Sequence, residues 1–200
     1  MDLSEALERI DAIHGHLARS EQYRGYRPAA LALSGVVGLA AALTQPLFVA
    51  DGPAAFVAYW VGIALVCAAV GGGVTVHAHL FLEDDLARRR TRVVMGQFLP
   101  CLCAGAVVTA ALMREPWRSL AVPLLPGLWA LVFGLGIVAS LPYLPRLAGL
   151  VAAWYVLAAV VLLSSDPAHL SGWAVGVPFG VGQLLAAAVL YHDRYAGVGR

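Results

Sequence analysis

The sequence predicts an all-α fold, a polytopic membrane helical bundle of six transmembrane helices preceded by an amphipathic cytoplasmic helix. Three observations carry that expectation. Six apolar stretches of spanning length fill most of the chain, they hold almost no charge, and arginine gathers on alternate connections. Each stretch supplies roughly the 17–25 apolar residues that a hydrocarbon core about 30 Å thick requires. Only helices satisfy every backbone N–H and C=O in such spans. Composition agrees, since the 200 residues are 60% hydrophobic and 12% charged, against about 25% charged in soluble proteins. Residues 1–27 form a cytoplasmic helix and juxtamembrane anchor, 28–191 the transmembrane domain, and 192–200 a short cytoplasmic tail.

The N-terminal element is read from its periodicity. Leu3, Ala6, Ile10, Ile13 and Leu17 recur at spacings of three and four, an apolar stripe on one helix face. Asp2 and Glu5 resemble a capping pair. The stripe suits either the bilayer surface or a partner helix. Residues 1–27 carry acids and bases throughout and lack the short apolar region of a cleavable signal, so the first apolar run reads as a permanent span. In Tyr23-Arg24-Gly25-Tyr26-Arg27-Pro28, Gly25 breaks the helix and Pro28 suits a first helical turn. Arg24 and Arg27 meet lipid phosphates, each worth about 1 kcal/mol at an anionic leaflet.

The spans follow in order: Pro28–Phe48, Pro53–Val76, Val93–Met113, Leu120–Ser140, Leu147–Leu163 and Leu170–Tyr191. With the N-terminus inside, the cytoplasmic segments hold Arg9, Arg19, Arg24, Arg27, Arg88, Arg89, Arg90, Arg92, Arg146, Arg194 and Arg200. The outer loops hold only Arg114 and Arg118. That asymmetry over short loops places both termini in the cytoplasm. Trp117, Trp129 and Trp173, with Tyr23, Tyr26, Tyr143 and Tyr191, lie near span ends, where amphipathic rings favour the interface. Trp60 and Trp154 sit deeper and read as packing residues.

Packing signals concentrate in the last span. Gly172, Gly176 and Gly180 form a G-x-x-x-G-x-x-x-G ridge that lets another helix approach closely. Gly134 with Ala130, and Gly38 with Ser34, repeat the spacing more weakly. The Gly71-Gly72-Gly73 run loosens the second span and is no phosphate loop, because no lysine completes one.

The segment after the second span is the richest chemically, with His77, His79, Glu83, Asp84, Asp85, Arg88, Arg89, Arg90 and Arg92. Imidazole and carboxylate suit a transition metal, yet positions two apart on a helix point about 200° apart, so His77 and His79 do not share one ion. The acids instead pair with Arg88 and Arg89 at i,i+4, and Arg88–Arg92 anchor to lipid heads. Intramembrane haem calls for facing histidines at matching depth. His14, His16, His77, His79, His169 and His192 all lie off mid-depth, leaving His77, His79 and His192 as weak surface-proximal metal candidates. Cys101-x-Cys103 and Cys67 lie inside spans as small apolar fillers, with no disulfide framework. No cofactor is expected.

The spans hold no ionisable residue at mid-depth, which argues against proton-coupled transport. Gln45, Gln97, Thr109 and Gln183 are their main polar groups and suit interhelical hydrogen bonds. Pro46, Pro100, Pro123, Pro126 and Pro178 interrupt or end spans, as broken helices do in transporters built from inverted repeats. A faint three-plus-three repeat pairs Val57–Trp60 with Val151–Trp154, and Gly96–Pro100 with Gly176–Gly180.

Tyr23-Arg-Gly-Tyr-Arg-Pro28, and Leu125-Pro-Gly-Leu-Trp129 through Phe133-Gly-Leu-Gly136, resemble small bacterial six-span integral membrane proteins that have no assigned function. The resemblance implies a bundle in the bacterial inner membrane and brings no activity or site residue. The functional expectation is a non-enzymatic integral membrane subunit or regulator. It docks a protein partner, or a second copy of itself, through Leu3, Ile10, Ile13 and Leu17 and the Arg-rich loop, while its arginines hold membrane lipids. The alternatives are a transporter of a small solute or lipid-like molecule through a mid-depth cavity lined by Gln97 and Gln183, and a haem- or metal-binding membrane protein. The net charge of +1 points to no nucleic-acid partner.

Overall fold

A computed structural model describes residues 28–49, 52–81, 85–116, 118–165 and 171–196, with side chains described for all of these except 74–81, 85–91 and 194–196. The expected N-terminal helix, with Leu3, Ile10, Ile13, Leu17, Arg24 and Arg27, lies outside the described residues. So do the side chains of His77, His79, Arg88, Arg89 and Arg90.

The described residues are helical and contain no strand. Their order is α1 (Pro28–Phe48), α2 (Pro53–Phe81), α3 (Asp85–Leu112), a short α4 (Arg118–Ala121), α5 (Leu125–Ser140), α6 (Ala148–Ser164) and α7 (Trp173–Ala196). Pro123 and Pro126 explain the break between α4 and α5, where Val122–Leu124 tightens into a 3₁₀ turn, because proline removes the donors a continuous α-helix needs. Five stretches are long and apolar enough to cross a membrane: Pro28–Phe48, Pro53–Gly73, Arg92–Leu112, Arg118–Tyr143 and Trp173–Asp193. The remaining apolar helix, α6, has 17 residues, which at 1.5 Å per residue reach about 25 Å. The surface is apolar too. Leu43, Leu65, Val107, Leu150, Leu157 and Val161 are all more than half exposed, a pattern that suits a lipid solvent and would be a liability in water.

Three helices run past the expected span limits, and the third of the chain begins at Asp85 where Val93 was expected. The second was expected to stop at Val76 and continues to Phe81, and the last continues through His192 to Ala196. Apolarity reports where the hydrocarbon ends, whereas a helix ends where its backbone finds another partner.

Neighbouring helices pack antiparallel. A Cβ added to Gly35 would lie 2.8 Å from the Gly180 carbonyl oxygen, and one on Gly172 would lie 3.2 Å from the Ala42 carbonyl oxygen. The α1 register therefore ascends as that of α7 descends. Gly172, Gly176 and Gly180 all face α1, and backbone-to-backbone approach of this kind is open only to glycine. Gly127 against Leu163 and Gly134 against Tyr155 set α5 on α6 in the same sense, and Gly136 against Phe98 with Gly105 against Val132 set α3 on α5.

The core divides into two clusters. One joins Ala41 and Ala42 of α1 to Phe56, Val57 and Trp60 of α2, Val122, Leu125, and Val175 of α7. The other joins Ala130 and Ile137 of α5 to Val151, Ala152, Tyr155 and Ala159 of α6. Beyond Trp60, Ile63 still packs against the first cluster, and no later residue of the second helix with a described side chain is buried. Val61, Leu65, Val66 and Val70 are exposed, and a Cβ on Gly62 would meet nothing within 4 Å.

Candidate functional site

Three tryptophans pin the bundle with their indole N–H groups. Trp60 donates to Gln45 Oε1 on α1 at 2.7 Å, Trp129 to Thr109 Oγ1 on α3 at 2.8 Å, and Trp154 to the Pro178 carbonyl on α7 at 2.9 Å. Thr109 in turn donates to the Gly105 carbonyl at 2.7 Å, and Tyr59 donates to the Ala41 carbonyl at 2.8 Å. Interhelical bonds of this type are worth about 0.6–2 kcal/mol each within a membrane. They join α1 to α2, α3 to α5 and α6 to α7, and the packing of these helices leaves a gap.

Such a gap lies near one end of the bundle. A cavity of about 120 Å³ is lined by Phe98 of α3, Phe133 and Ile137 of α5, Val151 and Tyr155 of α6, and Gln183 of α7. Leu31, Ser140, Leu144, Ala148, Ala186, Val189 and Leu190 complete its wall. It runs from the level of Ala148 to that of Tyr155, roughly 10 Å along α6 at the helical rise.

Glycines place the aromatic rings that shape it. A Cβ on Gly182 would collide with the Tyr155 ring and lie 2.6 Å from its hydroxyl, and one on Gly136 would lie 2.8 Å from the Phe98 ring. Phe133 meets the Phe98 ring edge to face at 5.0 Å and the Tyr155 ring at 4.8 Å. Phe179 closes the group behind them, 5.4 Å from both Phe133 and Tyr155. Edge-to-face and tilted pairs in this range are favourable beyond their buried area.

The polar groups of the cavity are few and uncharged. Ser140 is buried and its hydroxyl donates to the Gly136 carbonyl at 2.9 Å, a bond within its own helix. Tyr155 has no exposed surface, and its hydroxyl lacks a hydrogen-bond partner, as does the buried Oε1 of Gln183. The two side chains are neighbours, yet they do not reach hydrogen-bond geometry with each other. Buried polar atoms are nearly always paired, so two orphans on one cavity wall mark the place where a ligand or water belongs. Gln97 Oε1 is likewise buried and unpartnered, but Gln97 does not line this cavity. Of the two glutamines expected to line a mid-depth cavity, only Gln183 lines this one, which lies near an end of the bundle.

The other sequence-predicted positions lie elsewhere. His192 and Arg92 are exposed, and Gly172, Gly176 and Gly180 are buried against α1. Among the described residues no three His, Cys, Asp or Glu side chains gather into a metal-binding group. Cys67, Cys101 and Cys103 are free thiols. At the opposite end Arg118 donates to the Met113 carbonyl at 3.1 Å and pairs with Glu115 at 3.4 Å, so this arginine, expected on an outer loop, is engaged locally. Tyr155, Phe98, Phe133 and Ser140 carried no sequence signal as site residues. Gln183 alone did, as a polar group in an apolar span.

Compared with protein-family models, curated proteins and solved structures, the chain matches none.

Proposed function

We propose that the chain is a six-span integral protein of the bacterial inner membrane with both termini cytoplasmic. In this reading it acts as a non-enzymatic subunit or regulator that docks a protein partner through its N-terminal helix and the Arg-rich segment after the second span, Arg88–Arg92 at the start of α3. One observation carries the reading. The antiparallel packing of α1 on α7, α3 on α5 and α5 on α6, with Leu31, Ser140, Ala148 and Leu190 around one cavity, brings the starts of α1, α3 and α6 and the end of α7 to the same end of the bundle. Those are the ends next to Arg27, Arg88–Arg92, Arg146 and Arg194. An arginine-rich end of this kind matches the anionic cytoplasmic leaflet. The 17-residue α6 is the fifth span, at the short end of the spanning range.

Removal of residues 2–20 tests the docking role. The full chain is affinity-purified in mild detergent beside the truncated chain, with circular dichroism to confirm that both bundles are folded. A stoichiometric partner or second copy that is present with the full chain and lost on truncation is the expected result. A partner retained by the folded, truncated chain, or the absence of any partner from the full chain, sinks the proposal.

A further inference from the structure

The cavity bounded by α3, α5, α6 and α7 has walls specific enough to define what it accepts. We propose that it binds a small neutral alcohol or phenol, with the ligand's hydroxyl bridging Tyr155 and Gln183. This proposal stands apart from the docking role and does not depend on it.

Size comes first. A cavity of about 120 Å³ is slightly smaller than the apolar cavity of about 150 Å³ that accepts benzene in another protein. It therefore suits a single ring of six or seven heavy atoms. The walls come next. Leu31, Ile137, Val151 and Val189 are aliphatic and Phe98 and Phe133 present aromatic rings, so the body of the ligand is hydrocarbon. Among the described residues no charged side chain lines the space, and an ionised ligand would be desolvated there without a counter-ion from them.

The orphaned atoms then choose the polar group. Gln183 Oε1 accepts only, whereas the Tyr155 hydroxyl both donates and accepts. A ligand hydroxyl donates to Gln183 Oε1 and accepts from Tyr155, and so satisfies both at once. A ketone leaves Gln183 unpaired, and a hydrocarbon leaves both. Two rivals would satisfy the same atoms without a ligand: a trapped water, and a shift that joins Tyr155 to Gln183 directly. Neither fills the apolar part of the cavity, and neither discriminates between ring compounds of equal size.

That discrimination is the test. The full chain in lipid nanodiscs is titrated with cyclohexanol and with methylcyclohexane, and saturable binding is followed by saturation-transfer NMR and by the thermal unfolding midpoint. We expect cyclohexanol to bind about tenfold or more tightly than methylcyclohexane, since each hydrogen bond contributes roughly three- to tenfold. Gln183→Leu should erase the difference, and Tyr155→Phe should reduce it several-fold. Should the first variant not fold, the second carries the same readout with its ring intact. Ala186→Leu, which fills the cavity, should abolish saturable binding of both compounds. Equal binding of the two compounds would overturn the proposal, as would no saturable binding of cyclohexanol. Responses unchanged by Ala186→Leu would also overturn it, because they would report partition into the bilayer.

Discussion

Gly35→Ala perturbs the α1–α7 seam directly. The added methyl carbon would sit 2.8 Å from the Gly180 carbonyl oxygen, 2.9 Å from Leu184 Cγ and 3.2 Å from the Leu184 backbone nitrogen. Two of those three atoms are backbone and have no rotamer to change. Restoring an ordinary contact near 3.4 Å therefore separates the helices by about 0.6 Å. Overpacking of this kind costs about 1–3 kcal/mol. The higher helix propensity of alanine returns up to about 1 kcal/mol, which leaves a net loss of about 1–2 kcal/mol. Gly62→Ala is the matched control, because its Cβ meets nothing within 4 Å and only the favourable propensity remains. The two variants should thus differ by about 2 kcal/mol, roughly thirtyfold in the unfolding equilibrium. Reversible unfolding of the full chain in mixed micelles by SDS titration, followed by circular dichroism, reads this difference. If Gly35→Ala proves as stable as Gly62→Ala, the close α1–α7 approach is wrong.

Three further outcomes follow from the polar groups. Trp60→Phe removes the donor to the buried Gln45 Oε1 and should lower stability by about 1–3 kcal/mol, measured by the same titration. Trp129→Phe and Thr109→Val each break one bond, so in a double-mutant cycle their effects should fall short of additivity by about 0.5–1.5 kcal/mol; strict additivity would deny the contact. Tyr155→Phe removes a buried hydroxyl that has no partner, so the ligand-free chain should be unchanged or more stable by up to about 2 kcal/mol. A clear loss of stability there would mean that the hydroxyl is bonded within the folded protein.

The helices were legible because apolar length is a local property. Pro28–Phe48 has the same limits in sequence and structure, since proline opens that run and Asp51, Gly52 and Pro53 stand shortly after it. The partner of each helix was not legible. The Gly172, Gly176 and Gly180 ridge announces a close approach without saying to what; Gly180 meets Gly35 and Leu39, and Gly38, which has the same small-residue spacing, lies against Gly176 and Gly180. Trp129 shows the same limit. Its position near a span end reads as an interfacial anchor, but its N–H is committed to Thr109, a residue on another helix. The cavity was almost invisible. Its aliphatic walls are made of the same residue types that face lipid, so no periodicity separates Val151 at the cavity from Val160 at the surface. Only a polar residue stands out from that background, which is why Gln183 was noticed and Tyr155, one position from the more conspicuous Trp154, was not.

The central claim is a six-span topology with one arginine-rich cytoplasmic end, and it turns on α6. Paired reporter fusions decide it. Green fluorescent protein and alkaline phosphatase are each fused after Arg146 and after Ser165, on either side of Ala148–Ser164. The account predicts fluorescence after Arg146 and phosphatase activity after Ser165. The same reporter active at both positions would mean that α6 does not cross the membrane. That result would contradict the six-span topology and the arginine-rich cytoplasmic end that rests on it.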